Sequence, residues 1–194
     1  MTKNILIITG DFVEDYEIMV PFQTLEFLGY NVHIVCPEKD EGALLKTAIH
    51  DFEGDQTYTE KPGHHFKLNY SIKNVKPETY HGLVLPGGRA PEYLRLHETV
   101  LTITKHFVDS KKPILSICHG IQILTAIPDA IRGYNIAAYY ACEPEVKLAG
   151  ANFLKLDANK AILHNNIVST PAWPGHQDSI RKFSELLGTT ITHK

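Results

Sequence analysis

The stretch Pro113-Ile114-Leu115-Ser116-Ile117-Cys118-His119-Gly120-Ile121-Gln122-Ile123-Leu124 decides the fold. Its first apolar run is too short for a helix and reads as a buried strand over 114–117, while the run from Gly120 onward opens a helix. Cys118 and His119 then occupy the sharp turn between them, the place where an α/β fold exposes a nucleophile. The pattern is S-x-C-x-G, with Ser116 standing where the G-x-S-x-G elbow of hydrolases has its first glycine. Unpaired N–H groups and the positive end of the helix dipole favour thiolate over thiol at such a turn, which makes Cys118 the candidate nucleophile. The competing reading is a cysteine that fills space in the core, as free cysteines often do.

Upstream, the same alternation recurs. A strand over 4–8 is followed by Gly10-Asp11, a helix over 16–28 stopped by Gly29, and a strand over 31–36, which is a βαβ unit. A strand over 82–85 leads through Pro86-Gly87-Gly88 to a helix over 98–110 and then into the Cys118 strand. This order predicts an α/β fold with a flavodoxin-like parallel sheet sandwiched by helices. Ligands of such sheets bind beyond the carboxyl ends of the strands, where 10–17, 86–92 and Cys118-His119 converge. Between 41 and 71 the helical period fails, and Thr57-Tyr58-Thr59 with Phe66-Lys67-Leu68 predict an inserted hairpin. Downstream, extended segments are expected over 151–156, 161–163 and 166–169, then a helix over 176–187 closed by Gly188.

With 194 residues, 43% of them hydrophobic, and no internal repeat or low-complexity linker, the chain reads as a single domain, 1–194. Its formal charge of −3, with both signs interspersed, offers no basic stripe for nucleic acid and no polybasic membrane patch. Partners are therefore expected to be a small molecule or further copies of the chain. Cys36, Cys118 and Cys142 are odd in number and widely spaced, which suits a reducing compartment rather than a disulfide framework or a cysteine-rich metal site. Ile5-Leu6-Ile7-Ile8 is too short for a signal peptide or membrane span, so the expectation is a cytoplasmic protein.

Three further groups could do chemistry. Glu14-Asp15-Tyr16-Glu17 precedes the apolar Ile18-Met19-Val20-Pro21; Glu14 and Asp15 read as complements to the helix dipole. Glu17 stands at the apolar edge, where burial raises a carboxyl pKa and leaves a proton for a thiolate or a reacting carbon. The tandem Gly87-Gly88 lets backbone N–H groups approach a bound oxygen, and Gly88 N–H with His119 N–H would form an oxyanion site. The His119 side chain, adjacent in sequence to the nucleophile, is expected to turn from the sulfur toward a carboxylate. His64 and His65 point to opposite faces of an extended segment, poor geometry for one metal, and no metal site is expected. His176-Gln177-Asp178 reads as a helix start rather than as an amidotransferase-like catalytic pair.

With Glu14-Asp15-Tyr16-Glu17 and Pro21, Leu83 through Pro86-Gly87-Gly88-Arg89-Ala90-Pro91-Glu92, and the Cys118 block in this order, nearly the whole chain resembles the ThiJ/PfpI superfamily. That superfamily includes the parkinsonism-associated deglycase and the PfpI-type intracellular peptidases. Gly10-Asp11-Phe12-Val13-Glu14-Asp15-Tyr16-Glu17 and His50-Asp51-Phe52 look most like the branch with two-domain plant glyoxalase III proteins. The resemblance implies a class I glutamine amidotransferase-like elbow and a cofactor-free cysteine enzyme. Cys118 would be the nucleophile, Glu17 the acid and base, and the Gly88 and His119 amides the oxyanion donors, with Gly87 beside them. It further implies a homo-oligomer, a dimer or trimer of dimers, in which Glu92 from a neighbouring subunit orients His119. Some relatives carry another histidine after the elbow helix, whereas this chain has Tyr139-Tyr140-Ala141-Cys142 there.

Three functions follow as expectations. The first is conversion of small 2-oxoaldehydes such as methylglyoxal and glyoxal to hydroxy acids without glutathione, a lyase activity of glyoxalase III or deglycase type that acts on free aldehyde or glycated substrate. The second is an intracellular cysteine peptidase using Cys118, His119 and Glu92. The third is a redox-sensing stress protein or holdase built on a low-pKa Cys118.

Overall fold

The computed structural model describes residues 2–192. In chain order the first half comprises β1 (Asn4–Ile8), β2 (Val13–Glu14), α1 (Asp15–Phe27), β3 (Asn31–Val35), β4 (Leu44–Asp51), β5 (Thr59–Lys67), β6 (Gly82–Leu85), α2 (Ala90–Leu94) and α3 (Glu98–Asp109). The second half adds β7 (Ile114–Ile117), α4 (Ile121–Thr125), β8 (Asn135–Ile136), α5 (Glu143–Leu148), β9 (Asn152–Phe153), β10 (Ile162–His164), β11 (Ile167–Thr170) and α6 (His176–Leu186). The main sheet runs β10-β11-β7-β6-β1-β3, parallel throughout except for antiparallel β10 at its edge.

A strand covered on both faces needs an unbroken apolar run rather than alternation. Ile5 through Ile8, Leu83 through Leu85 and Ile114-Leu115 meet that need, each buried completely. Register places Ile5 between Val32 and Gly82, Leu83 beside Ile114, and Leu115 beside Val168. Helices α1 and α6 pack together, as do α3 and α4, so helices flank the sheet as the sequence led us to expect. Gly82 is required for this closeness, because a Cβ there would lie 2.7 Å from the Phe183 ring of α6.

From β1 the chain moves outward to β3, then crosses to β6 and proceeds the other way through β7 to β11. The reversal falls between β1 and β6, and the ends of β1, β6 and β7 open onto one crevice. The segment between 41 and 71 does form a hairpin, but 57–59 and 66–68 lie at the two ends of one strand, β5; its antiparallel partner is β4, and β2 joins β4 to make a small second sheet. Asp15 pins the hairpin to α1. Its Oδ1 accepts from the His64 backbone N–H at 2.9 Å and from the Thr47 hydroxyl, and its Oδ2 lies 3.0 Å from His64 Nδ1.

Element ends differ modestly from expectation. The elbow helix α4 is a single long turn, since Pro128 stands three residues beyond Thr125 and disfavours helical backbone before it. Only Asn152–Phe153 of the extended 151–156 segment pairs, against the short β8. Gly120 lies so close to β6 that a Cβ would overlap the Leu85 carbonyl, and backbone on both sides leaves no room to yield. Gly120→Ala is therefore expected to lower stability by about 1–3 kcal/mol, read as an earlier urea midpoint, despite alanine's better helix propensity.

Candidate active site

Cys118 follows β7 with φ +54°, the left-handed region that a side chain adopts at a cost of about 1–2 kcal/mol. This conformation lifts the sulfur out of the strand-to-helix turn, as the elbow reading requires. Cys118 stays partly open to a small chamber, which lets a reactant reach it. The dipole of α4 does not make it a ready thiolate. Burial pushes the thiol pKa well above its usual value, and the charge of Glu17 pushes the same way. Desolvation of a thiolate at this turn thus works against the low pKa expected from the helix dipole.

Glu17, on the first turn of α1, is completely buried and reaches the elbow. Its Oε2 accepts from Gly87 N–H at 2.7 Å, whereas Oε1 is buried without a well-directed donor. Burial raises its pKa well above the carboxylate range and Glu14 adds to this, while bonds from Gly87, the Cys118 thiol and Trp173 N–H oppose. Thiol and carboxyl are too close and too dry to be ionised together, so they share a proton. Glu14 caps α1, its Oε2 accepting from Glu17 N–H at 2.9 Å, and burial raises its own pKa to about 7. It therefore complements the helix start as expected, but from inside the chamber lining rather than from solvent.

Gly87 serves a different purpose from the expected oxyanion contact, since its N–H is occupied by Glu17. A Cβ on it would lie 2.7 Å from Glu17 Oε2, 2.8 Å from Cys118 Cβ and 2.8 Å from His119 N, so only glycine lets acid and nucleophile meet. Gly88, at φ +69°, lines the chamber with Cys118 and His119, and the His119 backbone N–H lies beside the sulfur. The His119 ring does not turn away: Nδ1 is 3.3 Å from Sγ, and the elbow's positive φ is what folds the two neighbouring side chains together. Burial and the nearby His50 lower its pKa to about 4, so the imidazole is neutral. Glu92 is exposed on α2, beside Asp11, Phe12 and Arg89, and makes no bond to His119 within the chain.

The hairpin supplies groups that sequence reasoning left in an unplaced insert. His50, Phe52 and Tyr58 line the Cys118 chamber together with Tyr139, Ala172 and Trp173. The Tyr139 ring lies 4.5 Å from that of His119, tilted by 31°. The chamber has a volume of about 30 Å³ and adjoins a larger apolar vestibule of about 380 Å³ through Phe52, Tyr139 and Ala172. His176 opens α6 and is buried, but Asp178 bonds Ala161 N–H and Arg181, so no His–Asp pair forms there. Among the described residues, no helix is long and apolar enough to cross a membrane.

Comparisons with known proteins identify relatives of this chain. The model of the DJ-1/PfpI family matches residues 3–186. Protein DJ-1 homolog D of Arabidopsis thaliana is 48% identical over 98% of this chain and 49% of its own length. The chain thus spans about half the length of the plant relatives it matches. A deglycase of Pyrococcus horikoshii is 30% identical over 95% of this chain and 99% of its own. Among solved structures, a ThiJ/PfpI domain protein from Brachyspira murdochii superposes with a TM-score of 0.77 over 98% of this chain and 99% of its own, at 18% identity, which speaks to the fold alone.

The buried acids make stability depend on pH. Glu14 titrates at about 7 in the fold against 4.5 in an open chain, so its contribution is fully present below the lower value and is lost as pH rises through the higher one. Glu14→Gln keeps the capping oxygen and is expected to remove roughly 2–3 kcal/mol of the fall in stability between acid and mildly alkaline pH. Urea midpoints of both proteins across that range check this; Glu17 leaves a residual slope of the same sign.

Proposed function

The chain belongs to the DJ-1/PfpI family, and from that premise we propose that it is a cofactor-free cysteine enzyme converting small 2-oxoaldehydes, methylglyoxal or glyoxal, to hydroxy acids. The observation that carries this reading is a thiol, a fully buried carboxyl and a neutral imidazole around a chamber of about 30 Å³. The confined chamber suits a small carbonyl group.

Sγ of Cys118 adds to the aldehyde carbon while the thiol proton passes through His119 Nδ1 to the carbonyl oxygen, giving a hemithioacetal. Glu17, as carboxylate, removes the hydrogen from that carbon and returns it to the neighbouring carbon through an enediol. Its raised pKa makes it a stronger base than an exposed glutamate. Oxygen charge that develops on the way faces the Gly88 and His119 amides. The product is a thioester of the hydroxy acid, which water cleaves to free acid and thiol. Aldehyde adducts on amines or thiols carry the same carbon framework, so glycated substrates belong to the same class.

In this reading residues 1–194 act as one catalytic domain within a homo-oligomer, where Glu92 of one subunit approaches His119 of the next. The free thiols suit a reducing, cytoplasmic setting. A peptidase is the second reading, favoured by the 3.3 Å separation of His119 Nδ1 and Sγ. The redox-sensor reading asks for a low thiol pKa, which burial opposes.

Purified protein given methylglyoxal, without glutathione or metal, is expected to form lactate. Cys118→Ser should lower kcat/KM by at least about 10³-fold and Glu17→Gln by about 10²-fold. Hydrolysis of peptide amides that survives Glu17→Gln but not His119→Ala, with no lactate, would favour the peptidase instead.

A further inference from the structure

His50 lies near the end of β4 and is buried, its ring lining the chamber with Glu17, Cys118 and His119. Its Nε2 is 3.0 Å from Glu60 Oε2 on β5. Glu60 is gripped in turn by Arg89, with Nε at 2.6 Å and Nη2 at 2.8 Å, a bidentate pair. Partial burial of Glu60 works to raise its pKa, but Arg89 and His50 outweigh this and hold it low, so it is ionised. An ionised carboxylate at Nε2 fixes the Nε2–H tautomer, leaving a lone pair on Nδ1. Nδ1 has no hydrogen-bond partner among the described residues. Tyr58 packs edge-on to His50 at 4.9 Å and to His119 at 5.9 Å, bracing both rings.

The geometry points to His50 as the general base that drives water onto the acyl-Cys118 thioester, with Glu60 and Arg89 as positioning residues. This rests on the reading of Cys118 as nucleophile given above. As the water oxygen bonds to the thioester carbon, Nδ1 takes one of its protons; the carbon–sulfur bond then breaks and that proton passes to the departing sulfur. Acid and free thiol result, with no other reactant consumed. Of the competing bases, His119, held near a pKa of 4, is weak; the Glu17 carboxylate, one oxygen of which is occupied by Gly87 N–H, is the remaining competitor, and Glu17→Gln in the same acylation and deacylation assay separates it from His50. The other ionisable neighbours of His50 around the chamber are Glu14 at the end of β2 and the phenols of Tyr58 and Tyr139. Neither phenol is charged near neutral pH.

The test separates acylation from deacylation. p-Nitrophenyl acetate acylates a reactive thiol without any aldehyde chemistry, and methylglyoxal serves as second probe. In His50→Gln the initial burst of p-nitrophenol should match wild type while steady-state turnover falls about 100-fold. Intact-mass spectra should show acetyl-Cys118 accumulating. Glu60→Gln, weakening the bond that holds the Nε2–H tautomer, should slow deacylation by a smaller factor and leave the burst unchanged. Deacylation at the wild-type rate in His50→Gln, an equal loss in the burst, or deacylation at the wild-type rate in a folded Glu60→Gln would each overturn the assignment. Slow deacylation in His50→Gln together with no lactate from methylglyoxal in wild type would sink the aldehyde reading and leave the role of His50 standing.

Discussion

The carboxyl of Glu17, sealed between the Gly87 N–H and the Cys118 thiol, is the contact on which the site depends. It joins segments following three different strands, β1, β6 and β7, and it does so out of reach of water. A second negative charge beside the sulfur would be poorly solvated, so Glu17 and the Cys118 thiol share a proton. The surrounding choices follow from this one. Gly87 must have no side chain, Glu14 must cap the helix that carries Glu17, and Cys118 must adopt a left-handed backbone to bring its sulfur into contact.

The hairpin β4–β5 turns an open crevice at the sheet's edge into a chamber. It is attached at its base by Asp15 through Thr47 and His64, at its side by Arg89 through Glu60, and near its tip by Tyr140, whose hydroxyl donates to the Gln56 carbonyl at 3.2 Å. Two of these ties involve ionised side chains in partial contact with solvent, and isolated pairs of that kind contribute little to global stability. Their effect is local: they set where His50 and Tyr58 stand relative to the sulfur.

The parallel sheet was legible because its central strands carry short apolar runs, Ile5–Ile8, Leu83–Leu85 and Ile114-Leu115, and the observed β1, β6 and β7 coincide with 4–8, 82–85 and 114–117. The elbow was legible for the same reason. Protonation states and side-chain directions were not. The high thiol pKa of Cys118 comes from what surrounds it across the sheet, and the approach of His119 to the sulfur comes from a backbone angle that sequence spacing does not reveal. His50 was hidden by its place in an insert. Its one local signal was alternation: along β4, Leu45 and Ala48 face inward on either side of the bulge between Lys46 and Ala48, and His50 follows Ala48 by two residues on the same face.

The left-handed backbone at Cys118 also sets selection for chemistry against selection for durability. Glycine would occupy that angle without penalty, so the reactive residue is itself a small, permanent destabilisation of the fold. A lineage released from the need for the thiol could drift toward a sturdier and silent protein by a single codon change. Retention of cysteine at this one conformation is therefore a sharper mark of a working member than overall similarity of sequence or fold.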